Sequence, residues 1–243
     1  NRYDFEDLTN TARLGAMGVL QAKIAGNHDL RATSLLVRDS ENASRRYTGH
    51  NDDFGAEIEV SRVNWVERQL FLQQFAGEHR FPGLADLEAD WRLSFSRASR
   101  DEPDRRDLIM EQSTESGDYF LRTQGGGNSL LFSTLADENM DGGVDLRMPW
   151  GAREGDESRL GGWGGKVAVG GMVAERARVV NTRRFSYDVV GGEEGSTDFV
   201  YNDDPAQIFN AENIRSDGLR IAETTQATDN FRASSSLAAQ YVE

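Results

Sequence analysis

Asp137, Asn139, Asp141 and Gly142 read D-x-N-x-D-G, the opening of a loop that wraps calcium in carboxylate and amide oxygens, with Asp145 near a later ligand position. The bidentate Glu that closes such a loop should fall where Met148 stands, so the alternative reading is an acidic surface turn. His28, His50 and His79 sit in or beside expected turns and loops, with neither an H-x-x-x-H pair nor a shared strand face, which argues against a metal or acid–base role. No G-x-S-x-G elbow occurs. Gly165 and Lys166 lack the upstream Gly and the following Ser or Thr of a phosphate-binding loop. No catalytic residue is nominated, and the chain reads as something other than an enzyme. Tyr119, Trp150 and Trp163 fall in or near a long expected loop, where an aromatic ring can stack on a sugar or other ligand, or else pin the loop to its scaffold.

These residues need a scaffold, and the alternation of side chains identifies it. Leu87, Ala89, Trp91, Leu93 and Phe95 alternate with Glu88, Asp90, Arg92, Ser94 and Ser96, a period of two. The period recurs in residues 12–24, 30–37, 63–79, 166–173, 179–189 and 231–241. In the last, Phe231, Leu237 and Tyr241 lie opposite Arg232, Ser236 and Gln240. About seven strands and no long amphipathic helix make the fold all-β. Tight turns are expected at residues 26–29, at Pro82 and Gly83, and at residues 175–178. Long excursions are expected at residues 39–62, 98–160 and 190–229, with a hairpin of residues 119–123 and 129–135 inside the second. Loops of that length exceed the ~12–15 residues usual in a soluble domain.

Composition narrows the class. The chain has 243 residues, no cysteine and a formal charge of -14, with acids crowded into residues 101–118, 137–157 and 193–204. Disulfides and thiolate chemistry are excluded, and a nucleic-acid partner is disfavoured because phosphate binding needs clustered Lys and Arg. Mean hydropathy is -0.62. No apolar run approaches the ~18 residues of a membrane helix, a test that is blind to barrels, whose strands cross in ~9–11 residues with only alternate ones facing lipid. Asn1 opens in polar sequence without a signal, and residues 240–243 stop inside an alternating run, so a chain cut at both ends is expected.

Asp90 to Ser96, followed by Ala98, Arg100, Asp101, Glu102, Pro103 and Asp104, resembles a strand and its exit in the barrels of TonB-dependent outer-membrane receptors. The Gly-rich residues 161–171 leading to 176–187, with Arg183, Arg184 and Phe185, are similar to a hairpin of that family. So is the run from Asn213 through Glu223, Thr224, Thr225 and Asp229 to Phe231, Ala233 and Tyr241. The resemblance spans most of the chain. It implies a partial barrel domain over residues 1–243: an antiparallel meander forming a sector of a transmembrane barrel, with short periplasmic turns and long extracellular loops, in the outer membrane of a Gram-negative cell. It further implies uptake of a scarce or bulky nutrient (iron chelate, cobalamin, glycan or peptide), with outer-membrane lipid and lipopolysaccharide as neighbours and the TonB complex engaged through a plug that this chain does not show. Trp65 and Trp91 would be lipid-facing or interfacial. No TonB box and no C-terminal aromatic residue are visible, and seven strands is a third of the ~22 of such transporters. A passive porin-type barrel and a soluble secreted β-sandwich that binds a ligand are the rival readings.

Overall fold

The computed structural model describes residues 2–122, 127–151, 164–191, 198–202 and 204–243. They form nine antiparallel strands: β1 (Arg2–Ile24), β2 (His28–Asn51), β3 (Ala56–Phe81), β4 (Leu87–Gln112), β5 (Tyr119–Leu121), β6 (Ser129–Gly151), β7 (Gly164–Val189), β8 (Leu219–Glu223) and β9 (Phe231–Val242). One helix, α1, spans Pro205–Ile208. The sheet is a meander seven columns wide, because β5 continues the column of β6 along β4, and β8 continues that of β9 along β7. It is open: β1 and β9 do not pair with each other.

The strands are far longer than the alternating cores that announce them. Residues 39–62, expected as an excursion, are the paired upper halves of β2 and β3 joined by residues 52–55. Cross-strand ion pairs hold them: Arg38–Glu67 at 2.8 Å, Arg46–Glu59 at 2.6 Å, and Arg45 with Asp7 of β1 at 2.7 Å. Such pairs support the ladder on β2 and on the Glu59 face of β3, while Ala56, Ile58 and Val60 are buried on the other face of β3. Residues 175–178, expected as a turn, lie inside β7, where Arg176 and Arg178 both reach Asp137 on β6. The expected hairpin within 98–160 is also corrected. β5 pairs with β4, and β6 runs the full depth of the sheet between β4 and β7, so β4 and β6 together occupy most of that supposed loop.

One end of the sheet, here the lower, carries the turns at residues 25–27 and 82–86 and the facing ends of β6 and β7. Ala25 and Gly26 have φ of 51° and 73° and are the central residues of a β-turn in which Asn27 N–H donates to the Ile24 carbonyl, inside the three-residue loop between the paired Ile24 and His28. The upper end carries residues 52–55, 113–122, 127–128, 190–191, 198–202 and 204–230. There the chain covers its own sheet: Val200, Ile208 and Leu219 bury Met110 and Leu121, with Leu108, Tyr187, Val189 and Phe209 packed around them.

Candidate functional site

Residues directly opposite in an antiparallel pair share a face, so the register sorts every side chain in the lower half of the sheet. One face carries Leu14 and Leu20 of β1, Leu30 and Leu36 of β2, Phe71 and Phe75 of β3, Trp91, Leu93 and Phe95 of β4, Met140, Val144, Leu146 and Trp150 of β6, and Val167, Val169 and Val173 of β7. Leu20 is 77% exposed, Leu93 50% and Val173 61%, and no layer among the described residues covers them. The opposite face at the same height is mixed: it carries the pairs Asp90 with Arg147, Glu88 with Lys166 and Asp29 with Gln21 on the columns of β1 to β7, and also the apolar side chains of Met17, Val19, Leu35, Leu70, Leu72 and Leu237, the last on β9, whose Phe231 and Tyr241 also face this way. Polar pairs also occur on the apolar face, Ser34 with Gln73 within it and His28 with His79 at its lower edge.

The apolar band has defined edges. Its upper edge is marked by Arg38, Gln69, Arg97, Glu138 and Glu175 on successive columns. Arg38 pairs directly with Gln69, and Arg97 with Glu138. Gln69, however, pairs with Ser99, two residues above Arg97, and Glu138 pairs with Ala177, two above Glu175. The lower edge, marked by His28, Phe81, Leu87, Trp150 and Gly165, drops by the same amount. The band therefore runs oblique to the register, four residues over four strand steps. At ~3.3 Å per residue and ~4.8 Å between strands, this corresponds to a strand tilt of about 35°. Its nine to eleven residues per strand then stand roughly 22–27 Å tall, against about 25 Å for the apolar belt of a membrane barrel.

Large aromatic rings of the lower half lie flat on cross-strand glycines. Trp91 covers its partner Gly77, Trp150 covers Gly165, and on the opposite face Tyr241 covers Gly170 while its hydroxyl donates to Asp145 at 2.8 Å. A Cβ at Gly77 would overlap the Trp91 ring. Gly77→Val is therefore expected to displace that ring at a cost of about 1–3 kcal/mol. The change should appear as altered tryptophan emission together with a lowered denaturation midpoint, and unchanged emission would show that the ring has another seat.

The register also corrects the reading of the histidines. His28 and His79 are direct partners on one face, with their Nδ1 atoms 3.1 Å apart, and Trp91 Nε1–H donates to His79 Nε2 at 2.9 Å. A neutral His79 that accepts from Trp91 carries its proton on Nδ1 and donates it to His28, so the indole fixes both tautomers. Cross-strand pairing of residues 51 positions apart leaves no local signal, which is why spacing alone did not bring these rings together.

The expected ligand residues do not converge. Tyr119 is on β5 at the upper end, whereas Trp150 lies at the lower end of β6 on the apolar face, so one loop does not present both. Trp163 lies outside the described residues. Asp137, Asn139, Asp141 and Asp145 occupy one face of β6, paired on both sides, and an extended strand sets alternate residues ~6.6 Å apart instead of wrapping them round an ion. Asp137 is bound by Arg176 and Arg178, Asn139 donates to Asp141, and Asp145 accepts from Tyr241. Among the described residues, no group of three or more His, Cys, Asp and Glu is placed to hold a metal.

Comparison with protein-family models, with curated proteins and with solved structures returns no match for this chain.

Proposed function

We propose that the chain is a sector of the wall of a transmembrane β-barrel, its apolar face toward lipid and its mixed, ion-paired face toward the lumen, in an outer-membrane receptor of the TonB-dependent kind. The carrying observation is the oblique apolar band: one face, a membrane's height, and the tilt that barrel closure requires. A sandwich would cover that face with a second sheet. Here the chain covers its apolar residues only at the upper end, where a bilayer would not reach. The more specific part of the proposal, active uptake, rests on the sequence resemblance, and the ion pairs of the opposite face suit a wet lumen.

Topology adds a requirement. β1 and β9 both run from the upper to the lower end, so joining one to the other, within a copy or between copies of like orientation, would pair them in parallel. Antiparallel closure takes an odd number of further strands.

Ser116 lies in the upper connection and Asn27 in the lower turn. With the upper end extracellular, a cysteine at Ser116 should react with an impermeant maleimide added to whole cells, and one at Asn27 should not. Labelling at Asn27 alone would invert the topology, and equal labelling at both would remove the membrane from between them. Uptake abolished by loss of TonB would support the receptor reading, whereas uptake that persists would favour a passive porin.

A further inference from the structure

The lower edge of the apolar face sets two imidazoles at the spacing of a shared ligand. His28 and His79 are directly opposed on β2 and β3 and half-buried, with ring centroids 5.2 Å apart and Nδ1 atoms at 3.1 Å. A metal–imidazole bond is about 2.0–2.1 Å long, so two nitrogens on one ion stand roughly 2.9 Å apart at a right angle and about 3.4 Å apart at the tetrahedral angle. The observed separation lies between those limits. A modest turn of each ring about its Cβ–Cγ bond, a broad torsion, swings the two Nδ1 lone pairs onto one point without moving either strand.

The surroundings select the kind of ion. Ile24 pairs with His28, Ala89 pairs with His79, and the Phe81 ring lies 5.3 and 6.2 Å from the two imidazoles, so none of these neighbours is a carboxylate. Asp29 and Glu78, adjacent to the histidines in sequence, point to the opposite face. Two imidazole nitrogens without an oxygen donor suit Cu(II), Ni(II) or Zn(II) and not Ca²⁺ or Mg²⁺, with water completing the coordination. Trp91 adds a control. His28 already presents a lone pair at Nδ1, whereas His79 carries its proton there because its Nε2 accepts from the indole N–H at 2.9 Å. To take a metal, His79 must pass that proton to Nε2, which then no longer accepts from Trp91. Metal binding and the indole hydrogen bond exclude one another.

We propose that His28 and His79 form a two-histidine site for a borderline divalent metal, Cu(II) most tightly, with Trp91 holding the free site in the tautomer that the metal must displace. The proposal is independent of the membrane-wall reading. Its three residues lie on the internal columns β2, β3 and β4, so the site needs neither a bilayer nor closure of the sheet. The test is calorimetric titration of the full chain in detergent micelles with Cu(II) in a non-chelating buffer. His28→Gln and His79→Gln should each weaken binding roughly a hundredfold, because the second imidazole acts at the effective concentration of a group already held in place. His50→Gln should leave it unchanged. Trp91→Phe keeps a ring over Gly77 but removes the indole N–H, and should tighten binding about fivefold, the worth of one hydrogen bond. Binding should also quench tryptophan emission in the unaltered chain, since the Trp91 and His79 rings are 6.5 Å apart. Affinity unaffected by either of the first two substitutions, lost equally on His50→Gln, or kept in full by the chain unfolded in guanidinium would overturn the site. Affinity that Trp91→Phe leaves unchanged or lowers would overturn the role given to the indole.

Discussion

Leu93→Arg is expected to destabilise the bilayer-embedded protein by about 2–4 kcal/mol, whereas Ser94→Arg, one residue along the same strand, costs far less. Leu93 stands half-exposed on the apolar face between Phe75 and Gly142, and on the proposed membrane-wall reading a guanidinium there leaves water for hydrocarbon. Ser94 points the other way, between Gln74 and Asp141, where an added cation meets a carboxylate. The same pair measured in a lipid-free, denaturant-solubilised refolding assay should lose most of the difference, because an exposed Leu with no covering layer gives up little packing when replaced. Equal costs at the two positions in a bilayer would reject the facing, and a Leu93→Arg penalty that persists without lipid would place a protein layer over Leu93.

The alternation behind this proposal was legible in the sequence because Leu87 to Phe95 alternate cleanly, and the turns beside Gly26 and Pro82 carry their own local chemistry. The upper halves of the strands were not legible, for a physical reason. On β2, Arg38 to Asn42 offer no contrast between alternate positions, and the order comes from partners such as Glu67, far away in sequence, and from the buried face that Ala56, Ile58 and Val60 make on β3. Residues 175–178 failed similarly. A run of charge reads as a turn until the register shows Glu175 on one face and Arg176 and Arg178 reaching across to Asp137 on the other. The strand conformation of the calcium-like stretch was hidden by context. D-x-N-x-D-G specifies a loop only when no neighbour offers hydrogen bonds, and here β4 and β7 pair with it on both sides. The His28–His79 pair depends wholly on register, which single-strand periodicity does not encode.

Asp137→Asn tests the strongest of these register-dependent contacts. Asp137 is only 9% exposed and accepts from Arg176 Nε at 2.9 Å and Arg178 Nε at 3.0 Å, with both guanidiniums offering a second N–H. Hydrogen bonding from Arg176, and then from Arg178, outweighs the penalty of burial and holds the carboxyl far below the usual carboxylate range. Removing the charge leaves two neighbouring, half-exposed cations on β7 with no counter-ion, at an expected cost of about 1–2 kcal/mol near neutral pH. The pH dependence follows from the direction of the shift. A carboxyl whose pKa is depressed by folding contributes in full above its unfolded value of about 4, and that contribution declines as pH falls toward the lower folded value. The gap in denaturation midpoint between the two proteins should therefore be widest at neutral pH and narrow only in strong acid. A constant gap across that range would mean that the carboxylate's charge is not what binds β6 to β7. If the clamp is as described, Arg176→Gln combined with Asp137→Asn should cost clearly less than the sum of the two single changes, because each removes the same interaction.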